Sequence, residues 1–159
     1  MKFRPKFETM WSNFATVNGS VSFVGKKIGG KVGENIELGT RDTVNGFTNA
    51  CAIRMSYALN YSGVKVGSGP WAKVSGADKN WYIFRVKDML KFLNARFGRA
   101  DKIVIDPKAS DFAGLKGILA FEVSHWLDAT GHLTLWNGKN ASDHEFFGKA
   151  SKAYLWSLG

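Results

Sequence analysis

Cys51 is the only cysteine in this 159-residue chain. It stands in Phe47-Thr48-Asn49-Ala50-Cys51-Ala52-Ile53-Arg54-Met55-Ser56-Tyr57-Ala58-Leu59-Asn60, where a short polar lead-in runs into a helical pattern. Ala52, Met55, Ala58 and Leu59 recur at three- and four-residue steps, and Thr48 and Asn49 are N-cap candidates. The spacing therefore places Cys51 in the first turn of a core-packed helix. Unpaired backbone N–H groups and the helix dipole favour a thiolate there, and the thiolate is the attacking species. The competing reading is a small buried hydrophobe, the common fate of an unpaired cysteine.

A nucleophilic thiol needs a base. Gly131-His132-Leu133-Thr134-Leu135-Trp136 alternates Leu133 and Leu135 on one face with His132, Thr134 and Trp136 on the other. With the leucines in a core, His132 starts a strand and faces a cleft that the cysteine helix can approach. His125 and His144 have no comparable strand address and read as surface histidines. A third group must fix the imidazole tautomer, and the candidates are Asp143 and Asp128. Asp128 falls in a turn just before His132, which suits a capping side chain. Asp143 lies beyond the strand, where a returning loop can reach the ring, and is preferred; Asn137 is a distant substitute.

The elements that must position these groups follow from periodicity. Phe7, Met10, Trp11 and Phe14 predict a first helix over 8–16. The glycine- and lysine-rich stretch 20–33 reads as a mobile basic loop, followed by a short helix within 34–45. Residues 64–79 read as a long glycine- and serine-punctuated surface loop forming a cleft rim. Val86, Met89, Leu90, Leu93 and Phe97 make the clearest amphipathic helix, closed by Gly98. Strands are expected over 103–105, 117–123, 132–136 and 153–158, with 81–84 a short strand or a helix lead-in. Helices first and strands later predict an α+β fold, the nucleophile helix packed on an antiparallel sheet. The length predicts a single catalytic domain spanning residues 1–159.

Other chemistries fit less well. Gly30-Lys31 is followed by Val32, so the glycine stretch lacks the ending of a P-loop. No His-Glu-x-x-His signature is present, and one cysteine supports neither a disulfide scaffold nor a cysteine-rich zinc site, so no metal or cofactor is expected. No stretch approaches the roughly 18 apolar residues of a membrane span, and membrane insertion is not expected. The first residues are basic, without an apolar run or cleavage site, so no signal peptide is expected. The net charge of +9 predicts attraction to anionic polymers such as nucleic acid, acidic membrane or cell wall. A rival to the enzyme is therefore a basic, aromatic-rich module binding such a polymer; another is a Cys-His acyltransferase. Arg54, one turn after Cys51, is a candidate contact for a substrate carboxylate, or a structural partner of Glu122 or Asp88.

The cysteine segment 49–60, the histidine segment 128–138 and Ser142-Asp143-His144 together resemble the fourth family of type VI secretion amidase effectors. The resemblance implies a papain-like fold akin to the NlpC/P60 peptidases, with Cys51, His132 and Asp143 as catalytic residues. It implies hydrolysis of the γ-D-glutamyl–meso-diaminopimelate bond of peptidoglycan stem peptides. The toxin would be made in the cytoplasm and delivered by the type VI machinery into a rival's periplasm. Its partners would be peptidoglycan and a cognate immunity protein, with no nucleic acid. Under this mechanism the backbone N–H of Cys51 helps bind the oxyanion. Many members carry a cysteine pair flanking the aspartate loop; Ala141 and Glu145 occupy those places here, which leaves the loop without a covalent staple.

Overall fold

A computed structural model describes residues 3–123 and 131–159. Five α-helices and six strands appear among them, with one 3-10 turn at Ala109–Phe112: α1 (Phe7–Ala15), α2 (Val21–Ile28), α3 (Gly30–Gly39), α4 (Cys51–Tyr61), β1 (Lys73–Ser75), β2 (Trp81–Ile83), α5 (Val86–Phe97), β3 (Lys102–Ile105), β4 (Gly117–Glu122), β5 (Gly131–Trp136) and β6 (Lys152–Ser157). The last four strands form an antiparallel sheet in the order β3-β6-β4-β5, and β1 and β2 form a separate hairpin. This is the α+β arrangement expected from helices followed by strands. The chain 3–123 contains no helix long and apolar enough to cross a membrane, nor do the other described residues.

The alternating pattern of β5 sorts its side chains between two cores. Leu133 and Leu135 join Met10, Phe14, Met55, Leu59, Met89 and Leu93 on the helical face of the sheet. Trp136 joins Phe112, Leu119, Phe121 and Leu155 on the other, with Phe146 and Phe147 packed against them. Helix α4 lies between cores: Cys51, Ala52, Met55, Ala58 and Leu59 belong to the first, while Ala50 and Ile53 belong to a third built with α2 and α3. With eight of its eleven residues buried, this helix is interior. Its position relative to β5 is therefore set by packing on two sides.

The stretch expected to be a mobile basic loop is instead the helix pair α2 and α3. Ser20 starts it, its Oγ accepting from the Phe23 N–H at 3.1 Å. Val24, Ile28, Val32 and Ile36 recur on one face and are buried with Ile53 and Tyr82. The glycines that suggested a loop serve close packing. A Cβ on Gly25 would stand 2.9 Å from Ile36, and one on Gly33 the same distance from the Gly25 carbonyl. Only Gly29 and Gly30, at φ of 66° and 59°, act as turn residues. The 64–79 stretch also departs from expectation, since Val64 and Val66 are buried and Lys73–Ser75 pairs with Trp81–Ile83.

Candidate active site

Helix α4 begins at Cys51, which is 1% exposed. Ala50 takes the N-cap position without a capping side chain, and Asn49 caps from one residue farther out, its Oδ1 accepting from the Cys51 N–H at 3.0 Å. The N–H expected to bind an oxyanion is thus engaged in this state.

Strand β5 is the edge of the sheet, and His132 lies at its start, opposite Phe121 of β4. Its face is not an open cleft: His132 is 7% exposed, with the Phe146 ring packed edge-on at 4.9 Å between centroids. The His132 Nε2 lies 3.1 Å from Asp143 Oδ1 and 3.0 Å from Oδ2, donating to Oδ1. Cys51 is close enough to hydrogen-bond the same ring, and with Nε2 committed to Asp143 the nitrogen left for sulfur is Nδ1. Burial disfavours the charged ring. The hydrogen bonds and negative charge of Asp143, and then of Cys51, outweigh it and push His132 up to about 9.

Asp143 is the acid that the structure brings to the ring, and its side chain is 3% exposed. Burial works against its ionised form. Hydrogen bonding and charge from His132, with hydrogen bonds from Thr134 and the His144 N–H, hold its carboxyl below the usual range. Asn137 is occupied elsewhere, its Oδ1 accepting from the N–H groups of Lys139 and Asn140 at 2.9 and 2.7 Å. His144 is exposed, its ring 6.3 Å from that of His132. His125 and Asp128 lie outside the described residues.

The loop carrying Asp143 folds back along β5 without a disulfide. Ala141 bridges to Trp136, the Ser142 N–H donates to the Leu135 carbonyl at 2.8 Å, and Asn18 Nδ2 donates to the Ser142 carbonyl at 2.7 Å. Where a cysteine pair was expected to be missing, Glu145 Oε1 accepts from the Ala141 N–H at 3.4 Å. Arg54 pairs with neither Glu122 nor Asp88. Glu122 accepts from the Tyr154 hydroxyl, and Asp88 lies 3.7 Å from Lys91. Arg54 instead reaches the carbonyls of Val17 and Gly19 and lies 4.0 Å from Asp143 Oδ2. That contact depends on tertiary approach, and no spacing in the sequence signals it.

Leading up to the nucleophile, residues 43–49 line a cavity of about 870 Å³ with Phe84 and Arg85. Phe47 and Phe84 stack at 4.5 Å between centroids, and no acid lies in the wall among the described residues. The long 64–79 stretch contributes none of this lining. Among the described residues, no group of three or more His, Cys, Asp or Glu side chains could hold a metal ion.

Residues 47–156 match the model of a protein family described as type VI secretion system amidase effector protein 4, Tae4. The chain is 46% identical to a chain in the effector-immunity complex Tae4-Tai4 from Salmonella Typhimurium, with 99% of this chain and 100% of that one covered at a TM-score of 0.91. It is 48% identical to the effector Tae4 from Enterobacter cloacae, with 99% of each chain covered and the same TM-score. No curated protein sequence matches the chain. Both structural likenesses extend over the papain-like fold, well beyond the 47–156 segment.

Proposed function

The chain belongs to the type VI secretion amidase effector 4 family, and we propose that Cys51, His132 and Asp143 are its catalytic triad within a single catalytic domain. The protein is a cysteine-dependent peptidoglycan amidase, an antibacterial toxin delivered into the periplasm of a target cell, with a cognate immunity protein. The bond cleaved is γ-D-glutamyl–meso-diaminopimelate.

The observation that carries the triad is one imidazole held by a buried carboxylate on Nε2 and in hydrogen-bonding contact with the only cysteine. The Cys51 sulfur attacks the amide carbon, its proton having passed to His132. A ring that keeps its proton to about pH 9 is suited to hold it until the tetrahedral intermediate collapses, and then to hand it to the leaving amine. Water, deprotonated by the now neutral ring, hydrolyses the thioester. Asp143 fixes the tautomer and stabilises the cationic ring throughout.

The cavity flanking Asn49 is the proposed entry for the stem peptide, and among the described residues of its wall Arg85 is the ionisable one. Net charge of +9 favours approach to the carboxylate- and phosphate-bearing wall. Among the described tryptophans, Trp136 and Trp156 are fully buried and Trp81 is 44% exposed, which gives the base-stacking alternative little support.

The test is mass spectrometry of muropeptides after incubation with wild type and Cys51→Ala. Wild type should release products cut at the γ-D-glutamyl bond. The variant should stay folded and yield none, since no other thiol exists. Products from the folded variant would refute the assignment.

A further inference from the structure

We infer that Arg54 is a positioning residue for Asp143, a role that rests on the triad reading above. Arg54 follows Cys51 by three residues and so projects from the same side of α4. Its side chain is 12% exposed, and an arginine buried to that degree must find acceptors for its fork of N–H donors. Nε donates to the Val17 carbonyl at 3.1 Å and Nη2 to the Gly19 carbonyl, which leaves Nη1 directed toward Asp143 Oδ2 at 4.0 Å.

The opposite side of that approach has a matching need. Asp143 Oδ2 is buried and, among the described residues, receives no well-aligned hydrogen bond, because the His132 N–H is directed at Oδ1. A carboxylate withdrawn from water needs compensation at both oxygens. Arg54 adds positive charge at the oxygen that accepts no aligned hydrogen bond, beside that of the His132 ring, whose Nε2 lies 3.0 Å from the same oxygen.

The carbonyls that hold the guanidinium flank Asn18, and Asn18 holds the carbonyl of Ser142, the residue just before Asp143. Val17–Gly19 is therefore a strap with α4 on one side and the acid loop on the other. One rigid helix carries both the nucleophile and the cation that steers the acid. Lysine at position 54 would keep the charge but lose the fork that spans the two carbonyls.

The experiment combines Arg54→Met and Arg54→Lys with Asp143→Asn, using steady-state kinetics on a short soluble muropeptide and a melting curve for each protein. Arg54→Met should lower kcat by roughly 10–100-fold, the scale of loss from a misplacement of about 1 Å in catalytic geometry, with KM little changed. Arg54→Lys should recover part of that loss. In the Asp143→Asn background, Arg54→Met should cost little more, because the group it acts through is already disabled.

A KM increase with kcat intact would overturn the proposal in favour of a substrate contact. So would equal fold-losses in both backgrounds, the mark of general damage to the fold. Should Arg54→Met not fold, Arg54→Lys in the two backgrounds is read by the same criteria. Full activity of Asp143→Asn alone would instead bring down the triad reading, which keeps the two failures apart.

Discussion

The nucleophile and the orienting acid are held in place by opposite kinds of force. Cys51 begins a helix whose residues Ala52, Ile53, Met55, Ala58 and Leu59 are all at most 1% exposed, so apolar packing fixes its position. Asp143 sits on a loop tied down by individual polar contacts, through Ser142 to Leu135 and Asn18, and through its own carboxylate to His132 and Arg54. Apolar packing is cooperative and non-directional, so it tolerates small shifts. A carboxylate that orients an imidazole depends on angles, which hydrogen bonds specify and packing does not.

The largest test of that contrast is Asp143→Asn. It leaves the loop's backbone contacts in place and should lower kcat by up to roughly 10⁴-fold, the loss that follows when a catalytic histidine's acid no longer fixes the tautomer. Its melting curve should stay cooperative. Measured kcat within a few-fold of wild type would show that another group orients His132. The reverse perturbation is Leu59→Ala in α4, which should cost about 2–5 kcal/mol in urea unfolding by leaving a cavity in the core. Turnover per folded molecule should change little. A large kcat loss in the folded fraction would mean that the apolar half transmits strain to the site.

How far each half is legible in the sequence follows from the same contrast. The three- and four-residue recurrence from Ala52 to Leu59, and the alternation from His132 to Trp136, are signals of burial, and both elements formed where they predict. The same holds for α1 and α5. The α2–α3 pair was hidden because glycine carries two meanings: Gly25 and Gly33 permit close helix contact, where the sequence suggests chain freedom. The Arg54 approach to Asp143 and the strap at Asn18 were illegible for another reason. They join residues far apart in sequence through single polar contacts, which leave no periodic trace. Asn49 was visible as a cap, but not its hold on the Cys51 N–H, which follows from the helix starting two residues later.

A gentler way to separate the halves is pH. His132 titrates at about 9 in the folded chain against an ordinary 6.5, so the folded state binds this proton more tightly than the unfolded one. The resulting stabilisation is complete below about pH 6.5 and is lost as pH rises through about 9. Asp143 runs the other way: its depressed value gives stability present above the usual carboxylate range and lost as pH falls below that range through the lowered value. The melting temperature of wild type relative to Asp143→Asn should therefore be highest between the usual carboxylate range and about pH 6.5 and narrow toward both ends. A difference independent of pH from 6 to roughly 10 would remove the ion pair from the account.

The position of β5 at the sheet's border has a consequence for the solution behaviour of the toxin. A border strand offers its free N–H and C=O groups to any extended segment that comes by, and such strands invite chain-to-chain addition unless something covers them. Here the covering is partly the acid loop itself, through the Ala141 bridge to Trp136 and the Ser142 bond to Leu135. The residues that aim a carboxylate at His132 therefore also occupy backbone groups that a second copy would need. Loop variants that lose turnover by loosening should therefore become prone to self-association, visible as concentration-dependent growth in light scattering, whereas Cys51→Ala should remain as monodisperse as wild type.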